Sequence, residues 1–289
     1  MGLPDGPAAL ADALAQRAYL ADRGLVTALH LAHRLGRPVL LEGDAGVGKT
    51  EAAKAMADVL GARLVRLQCY EGIDRAQALY AWDHPRQLLH LRTLEASGER
   101  PDQHESELYT RRFLLPRPLL EALELGDRAV LLVDEIDRAD DEFEAFLLEL
   151  LSDFQVTIPE LGTIRAEQPP TVVLTSNRTR ELSEALRRRC LYHWIDHPDQ
   201  AREAAIVRVR VPEVPDGLAE RVAGVVAQLR TLDLHKPPGV AETVDWARVV
   251  TDLGGRLDIE VAADTLGVVV KDRDDLDTVR AHLDRVLEA

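Results

Sequence analysis

The sequence predicts an α/β fold with a parallel sheet, followed by a small region built only of helices. Continuous apolar runs typical of buried parallel strands, such as Ala129–Val133, recur in the first two thirds of the chain between helix-forming stretches. Beyond Asp196 the pattern is helical and is interrupted at Pro and Gly clusters. A chain of 289 residues is more naturally read as two units than as one.

The bulk composition predicts a soluble, cytoplasmic protein. The net charge of −15 disfavours nucleic acid and anionic lipid as partners, although a local basic groove stays possible. Cys69 and Cys190 are far apart and have neither metal-ligand spacing nor a disulfide framework, which suits a reducing compartment. Neither a signal peptide nor an apolar run near the ~18 residues of a membrane span is present, so we expect no membrane contact.

The first predicted elements are helices, followed by a short strand and a glycine-rich loop. Ala8–Leu35 has near-helical apolar spacing, and we expect Gly24 to divide it into two helices. Val39–Leu41 suits a buried strand, and the residues after Thr50 are rich in helix formers. Strand, glycine-rich loop and helix are the context in which the pattern G-x-x-x-x-G-K-[ST] forms a phosphate site.

This loop carries the residues from which we predict nucleotide binding. Its glycines let backbone N–H groups curl around a β-phosphate, and the following helix adds its positive end. Lys49 can reach the β- and γ-phosphates, while the Thr50 hydroxyl can ligate Mg²⁺. Tyr19, ahead of the second helix, either supports a nucleotide base or merely packs. The candidate nucleotide-binding residues of the loop are Gly43, Asp44, Ala45, Gly46, Val47, Gly48, Lys49, Thr50 and Glu51.

A long mixed stretch separates the loop from the next diagnostic strand. Arg63–Cys69 alternates in the manner of a second strand, and residues 70–125 follow it. Within that stretch we predict helix at Tyr80–Asp83 and at Leu88–Leu91, a loop at 96–103, and a helix at Leu119–Leu125 that Gly126 ends.

Two carboxylates come directly after the most apolar strand, Ala129–Val133. Acidic groups at the end of a buried strand are costly unless a cation meets them. With Lys49 and Mg²⁺ in the same protein, Asp134 would hold the metal through its water shell. Glu135 would then orient and polarise the water that attacks the γ-phosphate. The alternative is a solvated acidic helix cap.

Further polar groups follow the next strand and helix. After an amphipathic helix at 140–151 and a hairpin at 155–165, Thr171–Thr175 is a buried strand that leads to Asn177. If this strand adjoins Ala129–Val133, Asn177 lies level with Glu135 at the ligand-binding edge, where its amide can position the attacking water. Otherwise Asn177 is a turn residue.

The helix predicted at 182–190 ends in three consecutive arginines, Arg187 to Arg189. Adjacent helical residues do not share a face, so at most one or two of the three can point at any given target. Either they form a solvated basic turn, or one is offered to the γ-phosphate of a neighbouring subunit.

Taken together, these motifs resemble those of the AAA+ ATPases. The motifs are G-D-A-G-V-G-K-T from Gly43, V-L-L-V-D-E-I-D from Val130, T-V-V-L-T-S-N from Thr171 and L-R-R-R-C from Leu186. Within that superfamily the chain is similar to the MoxR branch. It is most similar to the CoxD-like members, which serve carbon monoxide dehydrogenase maturation, through L-Q-C-Y-E-G-I-D at Leu67 and W-D-H-P-R-Q-L-L-H-L-R at Trp82.

The resemblance implies a P-loop αβα sandwich at 1–196 and a helical lid domain at 197–289. It makes Lys49 and Thr50 the Walker A pair and Asp134 and Glu135 the Walker B pair, with Asn177 as sensor 1. Arg189 best matches the arginine finger, with Arg188 the near alternative. The family's second-sensor arginine is replaced here by Glu242, and Arg248 could substitute for it.

The resemblance also implies assembly and partners. We expect a hexameric ring with ATP and Mg²⁺ between subunits, a partner with a von Willebrand factor A domain, and chaperone-like remodelling of a client protein. Three other functions stay open: a DNA-directed AAA+ machine, a slow nucleotide-gated switch, and a small-molecule kinase with Glu135 as base. The acid-rich segment 140–161 disfavours the first, and the intact Asp134–Glu135 pair disfavours the second.

Overall fold

A computed structural model describes residues 2–97 and 107–288, and the chain forms two compact units. As far as the structure describes them, the first unit comprises Met1–Leu10, Arg23–Glu42 and Ala53–His193. The second comprises Ala11–Asp22, Gly43–Ala52 and Trp194–Ala289. The domain boundary that the sequence predicts between residues 196 and 197 remains a prediction.

The first unit is built on a five-stranded sheet whose strands are β1 (Val39–Glu42), β2 (Arg63–Gln68), β5 (Ala129–Asp134), β8 (Thr171–Ser176) and β9 (Leu191–Trp194). They lie in the order β2-β5-β8-β1-β9. The pairs β2–β5, β5–β8 and β8–β1 are parallel, so the carboxyl ends of these four strands share one edge. The predicted α/β fold with a parallel sheet is confirmed, although the edge strand β9 is not predicted from the sequence.

Apolar residues explain why these segments form the centre of the sheet. Every residue of β5 and of β8 is buried, as a strand covered on both faces requires. The helices α2 (Arg23–Leu35) and α6 (Pro118–Leu125) pack against the sheet, α2 on β1 and β8, and α6 on β2 and β5. Among the described residues, the remaining α-helices that include residues of this unit are α1 (Gly6–Ala15), α3 (Lys49–Leu60), α4 (Arg75–Leu79), α5 (His84–Ala96), α7 (Asp141–Asp153) and α8 (Glu184–Arg189).

Two small antiparallel ribbons accompany the sheet. One pairs β3 (Tyr80–Trp82) with β4 (Leu114–Pro116), and the other pairs β6 (Gln155–Ile158) with β7 (Gly162–Arg165). The helix predicted at Tyr80–Asp83 is therefore wrong. Pairing with β4 satisfies the backbone there, and Asp83 is instead the N-cap of α5, accepting from the Arg86 N–H.

Gly24 does not divide the N-terminal helices, contrary to the prediction. It lies in the first turn of α2, and the chain leaves the helical path earlier, between Ala15 and Arg23. Ala18 adopts a left-handed conformation with φ of 57°, and the Tyr19 N–H donates to the Leu14 carbonyl as a helix-ending bond. Of the loop predicted at 96–103, Ala96 ends α5 and the part from Gly98 lies outside the described residues.

The C-terminal part of the second unit is helical, as predicted. Its helices are α9 (Gln200–Arg210), α10 (Leu218–Leu229), α11 (Val240–Asp252), α12 (Ile259–Val269) and α13 (Arg273–Glu288). Trp246 is fully buried in their core, and its indole N–H donates to the Thr265 hydroxyl at 2.7 Å. None of the helices within residues 2–97 and 107–288 is both long and apolar enough to cross a membrane.

Candidate nucleotide site

The glycine-rich loop joins β1 to α3 through three residues with positive φ. Gly43, Gly46 and Gly48 have φ values of 156°, 80° and 96°. At Gly43 a side chain is excluded outright, because a Cβ there would lie 2.3 Å from the Ile195 carbonyl oxygen. A turn of this kind, placed at the N-terminus of a helix, presents backbone N–H groups to an anion.

Lys49, the first residue of α3, is buried within this turn. Its ammonium donates to the carbonyl oxygens of Gly43 and Asp44, both at 2.7 Å, and only 6% of the residue is exposed. A buried ammonium is costly unless it is hydrogen-bonded or faces an anion. The loop carbonyls hold this charge in place, at the helix end where a phosphate is favoured.

Tyr19 and His197 contact the same loop within the second unit. The Tyr19 hydroxyl donates to the Gly48 carbonyl at 3.3 Å, and burial, with the nearby Asp22 charge, raises the pKa of this phenol. Tyr19 is therefore a neutral donor at physiological pH. His197 Nε2 lies 3.6 Å from an Asp44 carboxylate oxygen, and burial lowers the His197 pKa. Both side chains lie against the loop without adding a fixed charge.

The start of α11 is hydrogen-bonded to the loop through its backbone. The Val240 N–H donates to the Gly46 carbonyl at 3.0 Å, and a Cβ on Gly239 would lie 2.7 Å from the Gly46 Cα. The Glu242 carboxylate accepts from the Gly239 N–H at 3.0 Å, which brings a negative charge beside Gly46. Arg248, by contrast, pairs with Asp245 at 3.4 Å, and half of its side chain is exposed.

Asp134 ends β5 in the first unit and is 3% exposed. The Thr175 hydroxyl donates to its Oδ1 at 2.5 Å, and the Arg66 guanidinium donates to its Oδ2 from Nε at 3.0 Å and from a terminal nitrogen at 2.6 Å. Carboxylate and hydroxyl oxygens are the donors Mg²⁺ prefers, so the chemistry of Asp134 and Thr50 fits this metal. The Arg66 cation already in contact with Asp134 is an addition that the sequence did not predict.

Glu135 follows in a left-handed conformation, with φ of 55°. Such a backbone is unusual for a residue with a side chain and turns the chain sharply at the end of the strand. The Glu135 N–H donates to the Thr175 hydroxyl at 2.9 Å, which fixes the turn. Its carboxylate lies 3.1 Å from Arg138, one turn on, and about a third of the Glu135 side chain is exposed.

Asn177 lies just beyond the end of β8, which does adjoin β5 as its predicted role requires. Its backbone N–H donates to Asp137 Oδ2 at 3.2 Å, and the Thr179 N–H and hydroxyl donate to the same oxygen at 2.8 Å each. Asp137 is 2% exposed, so this buried carboxylate anchors the turn that carries Asn177. The Asn177 side chain itself is half-buried.

The three arginines of α8 differ in their side-chain contacts. Arg187 lies 3.4 Å from Glu42, a buried carboxylate at the end of β1, while Arg188 pairs with Glu184 at 2.5 Å on the exposed side. Within the part of the chain that the structure describes, the Arg189 side chain is exposed and has no ion pair. The carbonyls of Arg188 and Arg189 accept from the Arg37 guanidinium at 3.0 and 3.2 Å.

Four contact residues escaped the sequence analysis: Arg66, Thr175, Asp137 and Glu42. A signal for Arg66 and Thr175 does exist, because both lie near the carboxyl end of a strand neighbouring the acidic pair. Using it requires the strand order β2-β5-β8, which the sequence alone does not supply. Asp137 could be noticed as the third carboxylate of D-E-I-D, but its partner turn is 40 residues away.

A glycine-rich loop that runs from a parallel strand into a helix, with an acidic pair ending another strand of the sheet, defines a phosphate-loop ATPase. The family model of the AAA domain, dynein-related subfamily, matches residues 38–190. The chain belongs to this family, whose members bind nucleotide and commonly assemble into rings. A comparison with curated protein sequences found no match.

Solved structures support the fold. RuvB from Thermotoga maritima, described as a Holliday junction branch migration motor, is 21% identical with a TM-score of 0.51; the match covers 92% of this chain and 74% of RuvB. A point mutant of the same protein is 20% identical with a TM-score of 0.52, over 88% of this chain and 71% of that one. At these identities the likeness extends to the fold alone.

Proposed function

We propose that this ATPase is a MoxR-type AAA+ protein that hydrolyses ATP at the subunit interfaces of a ring in order to remodel a client protein. Support for the branch comes from sequence, in the segments 67–74 and 82–92 that resemble CoxD-like members. The same resemblance underlies the proposed hexamer, the partner with a von Willebrand factor A domain, the division at residue 196, and the proposed role in metalloenzyme maturation.

The observation that carries the proposal is the sharing of one sheet edge by β5, β8 and β1. Asp134 and Glu135 end β5, Asn177 follows β8, and β1 continues into the phosphate loop. In our proposal Lys49 and the loop backbone bind the phosphates of ATP, and Thr50 and Asp134 hold Mg²⁺. Glu135 orients the attacking water, and Asn177 assists it.

We assign the arginine finger to Arg189, with Arg188 as the alternative. Arg188 is paired within its own helix, and Arg187 is paired with Glu42. Arg37 supports the assignment, because its guanidinium ties down the last carbonyls of α8 and so limits the directions open to the exposed Arg189. An arginine supplied in trans stabilises the charge that develops on the γ-phosphate.

The second sensor is the weakest element of the family pattern in this chain. Glu242 lies beside the phosphate loop where the family has an arginine, and a carboxylate there repels rather than attracts a γ-phosphate. Arg248 is our candidate substitute, and it would have to leave Asp245 to act.

The test combines light scattering, nucleotide binding and phosphate release on wild type, Glu135→Gln, Arg189→Ala and Arg188→Ala. We expect ATP to assemble the wild type into a ring. Glu135→Gln should retain ATP binding but lose turnover by at least about a hundredfold, as is typical of a lost general base. Arg189→Ala should assemble without hydrolysing, whereas Arg188→Ala should remain active; the reverse pattern would assign the finger to Arg188 instead.

Three results would contradict the proposal. A monomer that hydrolyses ATP equally well without Arg189 would exclude the trans finger and favour a stand-alone switch. Unchanged turnover in Glu135→Gln would remove Glu135 from the mechanism. Failure to co-purify with any protein containing a von Willebrand factor A domain, under conditions in which the ATP-bound Glu135→Gln ring is stable, would contradict the assignment to the MoxR branch.

A further inference from the structure

Arg66 reaches from β2 across to the carboxylate that we assign to the metal. In the parallel pair of β2 and β5, Gln68 is directly opposite Asp134, and Arg66 is two residues earlier on β2. Alternation along a strand puts Arg66 and Gln68 on one face, so both side chains can reach the end of β5. The Arg66 guanidinium donates hydrogen bonds from Nε and from a terminal nitrogen to the same oxygen, Asp134 Oδ2, at 3.0 and 2.6 Å.

The Asp134 carboxylate therefore has hydrogen bonds on both oxygens. Oδ1 accepts from Thr175 at 2.5 Å, and Oδ2 accepts the two bonds from Arg66. The two partners differ in kind, because a threonine hydroxyl is neutral while the guanidinium carries a full positive charge that proteins do not remove. Arg66 thus places a full positive charge against Asp134, which is 3% exposed and therefore weakly screened by water.

A guanidinium bound to Asp134 competes with the binding of a metal ion to the same carboxylate. Mg²⁺ bound at Asp134 Oδ2, directly or through its water, needs the lone pairs that Arg66 uses, and its charge repels the guanidinium. The side chain of Arg66 is half exposed, so it has room to move aside. A second acceptor is already within reach, because the same Arg66 nitrogen lies 2.5 Å from the Gln68 side-chain oxygen.

We propose that Arg66 is a built-in counter-ion that competes with Mg²⁺ for Asp134. This rests on the proposed role of Asp134 as a metal ligand. Displacing the guanidinium onto Gln68 is then part of metal binding, and it weakens the hold of Asp134 on Mg²⁺ alone. The phosphates of ATP bring the additional negative charge that offsets this cost. The consequence is a site that takes up Mg²⁺ together with nucleotide rather than before it.

The measurement is the metal enhancement of nucleotide binding. We define it as the affinity of the protein for a fluorescent, non-hydrolysable ATP analogue in about 5 mM Mg²⁺, divided by its affinity for the same analogue in the presence of a metal chelator. For Arg66→Gln we expect this enhancement to rise about tenfold over wild type, the worth of one charge-assisted hydrogen bond. Arg66→Lys keeps the charge but loses the two-nitrogen contact, so its enhancement should lie between the two.

Arg63→Gln is the matched control. Arg63 is on the same strand, and its ion pair is with Glu121 rather than with Asp134. Its removal changes the net charge identically and should leave the enhancement within about twofold of wild type, because exposed ion pairs contribute little. Asp134→Asn, alone and combined with Arg66→Gln, completes a double-mutant cycle. With the carboxylate gone, replacing Arg66 should no longer change the enhancement.

The outcomes separate this proposal from the one on which it rests. If Asp134→Asn leaves the enhancement intact, Asp134 is not the metal ligand and the assignment of the site fails. If Asp134→Asn abolishes the enhancement but Arg66→Gln lowers it or leaves it unchanged, Arg66 orients Asp134 or is a bystander, and the counter-ion proposal is overturned. A folded Arg66→Lys variant keeps the test decisive should Arg66→Gln not fold, since an enhancement at or below wild type contradicts competition.

Discussion

At the scale of single residues, burial controls the chemistry of the two cysteines. Cys69 is fully buried directly after the end of β2, and Cys190 is 7% exposed at the end of α8. Burial raises the pKa of each thiol to about 12, and for Cys69 the nearby Asp134 charge adds to the effect. Both thiols are therefore neutral and poorly nucleophilic in the folded protein at physiological pH.

These shifts predict a loss of stability in alkali. Above pH 9 the thiols of the unfolded chain ionise while the folded ones keep their protons, so the free energy of unfolding falls between about pH 9 and about pH 12. At pH 10 the loss is about 1 kcal/mol for each cysteine. Urea unfolding at pH 8 and pH 10 measures it, and Cys69→Ala with Cys190→Ala should reduce the pH dependence. An equal dependence in the double variant would contradict the prediction.

The sequence predicts some residues of the candidate site but not others. Motif spacing identified Lys49, Asp134 and Asn177 as candidates because each follows a recognisable strand or loop. It did not find Arg66, since an arginine in an alternating strand is ordinarily a solvated side chain. Only the register of β2 against β5 reveals that this arginine adjoins the acidic pair.

At the scale of elements, close backbone contact joins the phosphate loop to the start of α11. Gly239 has φ of −87°, which alanine adopts easily, so only the lack of space requires glycine there. We predict that Gly239→Ala separates the two backbones, breaks the Val240–Gly46 hydrogen bond and weakens ATP-analogue binding by about tenfold. Isothermal titration would measure this loss of affinity.

Gly267→Ala is the control for that substitution. Gly267 lies inside α12 with nothing within 4 Å of its missing Cβ. Alanine there should raise the stability by up to about 1 kcal/mol, since glycine is a poor helix former, and should leave nucleotide affinity unchanged. Equal affinities in Gly239→Ala and Gly267→Ala would refute the importance of the contact.

A second prediction at this scale concerns the ion pair that links α9, α10 and α11. The Glu203 carboxylate is fully buried, and it accepts from Arg230 at 2.6 and 2.7 Å and from the Thr243 hydroxyl at 2.6 Å. Arg230→Ala leaves this charge unpaired, so we expect the free energy of unfolding, measured in urea, to fall by about 3–5 kcal/mol.

Glu220→Ala is the control, because it breaks the exposed ion pair of Arg208 and Glu220 between α9 and α10. It should lower the free energy of unfolding by at most about 1 kcal/mol. Similar losses in the two variants would show that the buried Glu203 charge does not depend on Arg230.

Elements were predicted well where burial determines them and poorly where tertiary pairing does. The strands β5 and β8 and the helix α6 follow from apolar runs and from Gly126, and all three were found. Tyr80–Trp82 and β9 have no such local signal, because each becomes a strand only by pairing with a segment distant in sequence. The break before α2 was misplaced because α1 already ends at Ala15, and the chain then turns at Ala18, a non-glycine residue in the left-handed region.

At the scale of the whole molecule, the negative net charge disfavours action on DNA, the function described for RuvB. RuvB is described as a motor on a DNA junction, but at 20–21% identity its likeness to this chain concerns the fold alone. A protein that grips DNA neutralises phosphates with clustered Lys and Arg, and its binding weakens steeply with salt. This chain has 50 acidic against 35 basic residues, and α7 begins with Asp141, Glu142 and Glu144.

We therefore predict that DNA leaves the ATPase rate within about twofold at physiological ionic strength. The measurement is phosphate release with single-stranded, duplex and four-way junction DNA at about 50 mM and about 200 mM salt, where a true DNA motor loses most of its affinity. The control is heparin, an unrelated polyanion. A stimulation that is large, specific to DNA and lost at the higher salt would establish a local basic groove despite the charge of −15, and would replace the protein client with a nucleic acid. Stimulation by heparin and DNA alike would instead indicate a non-specific polyanion effect, since heparin has no bases to read.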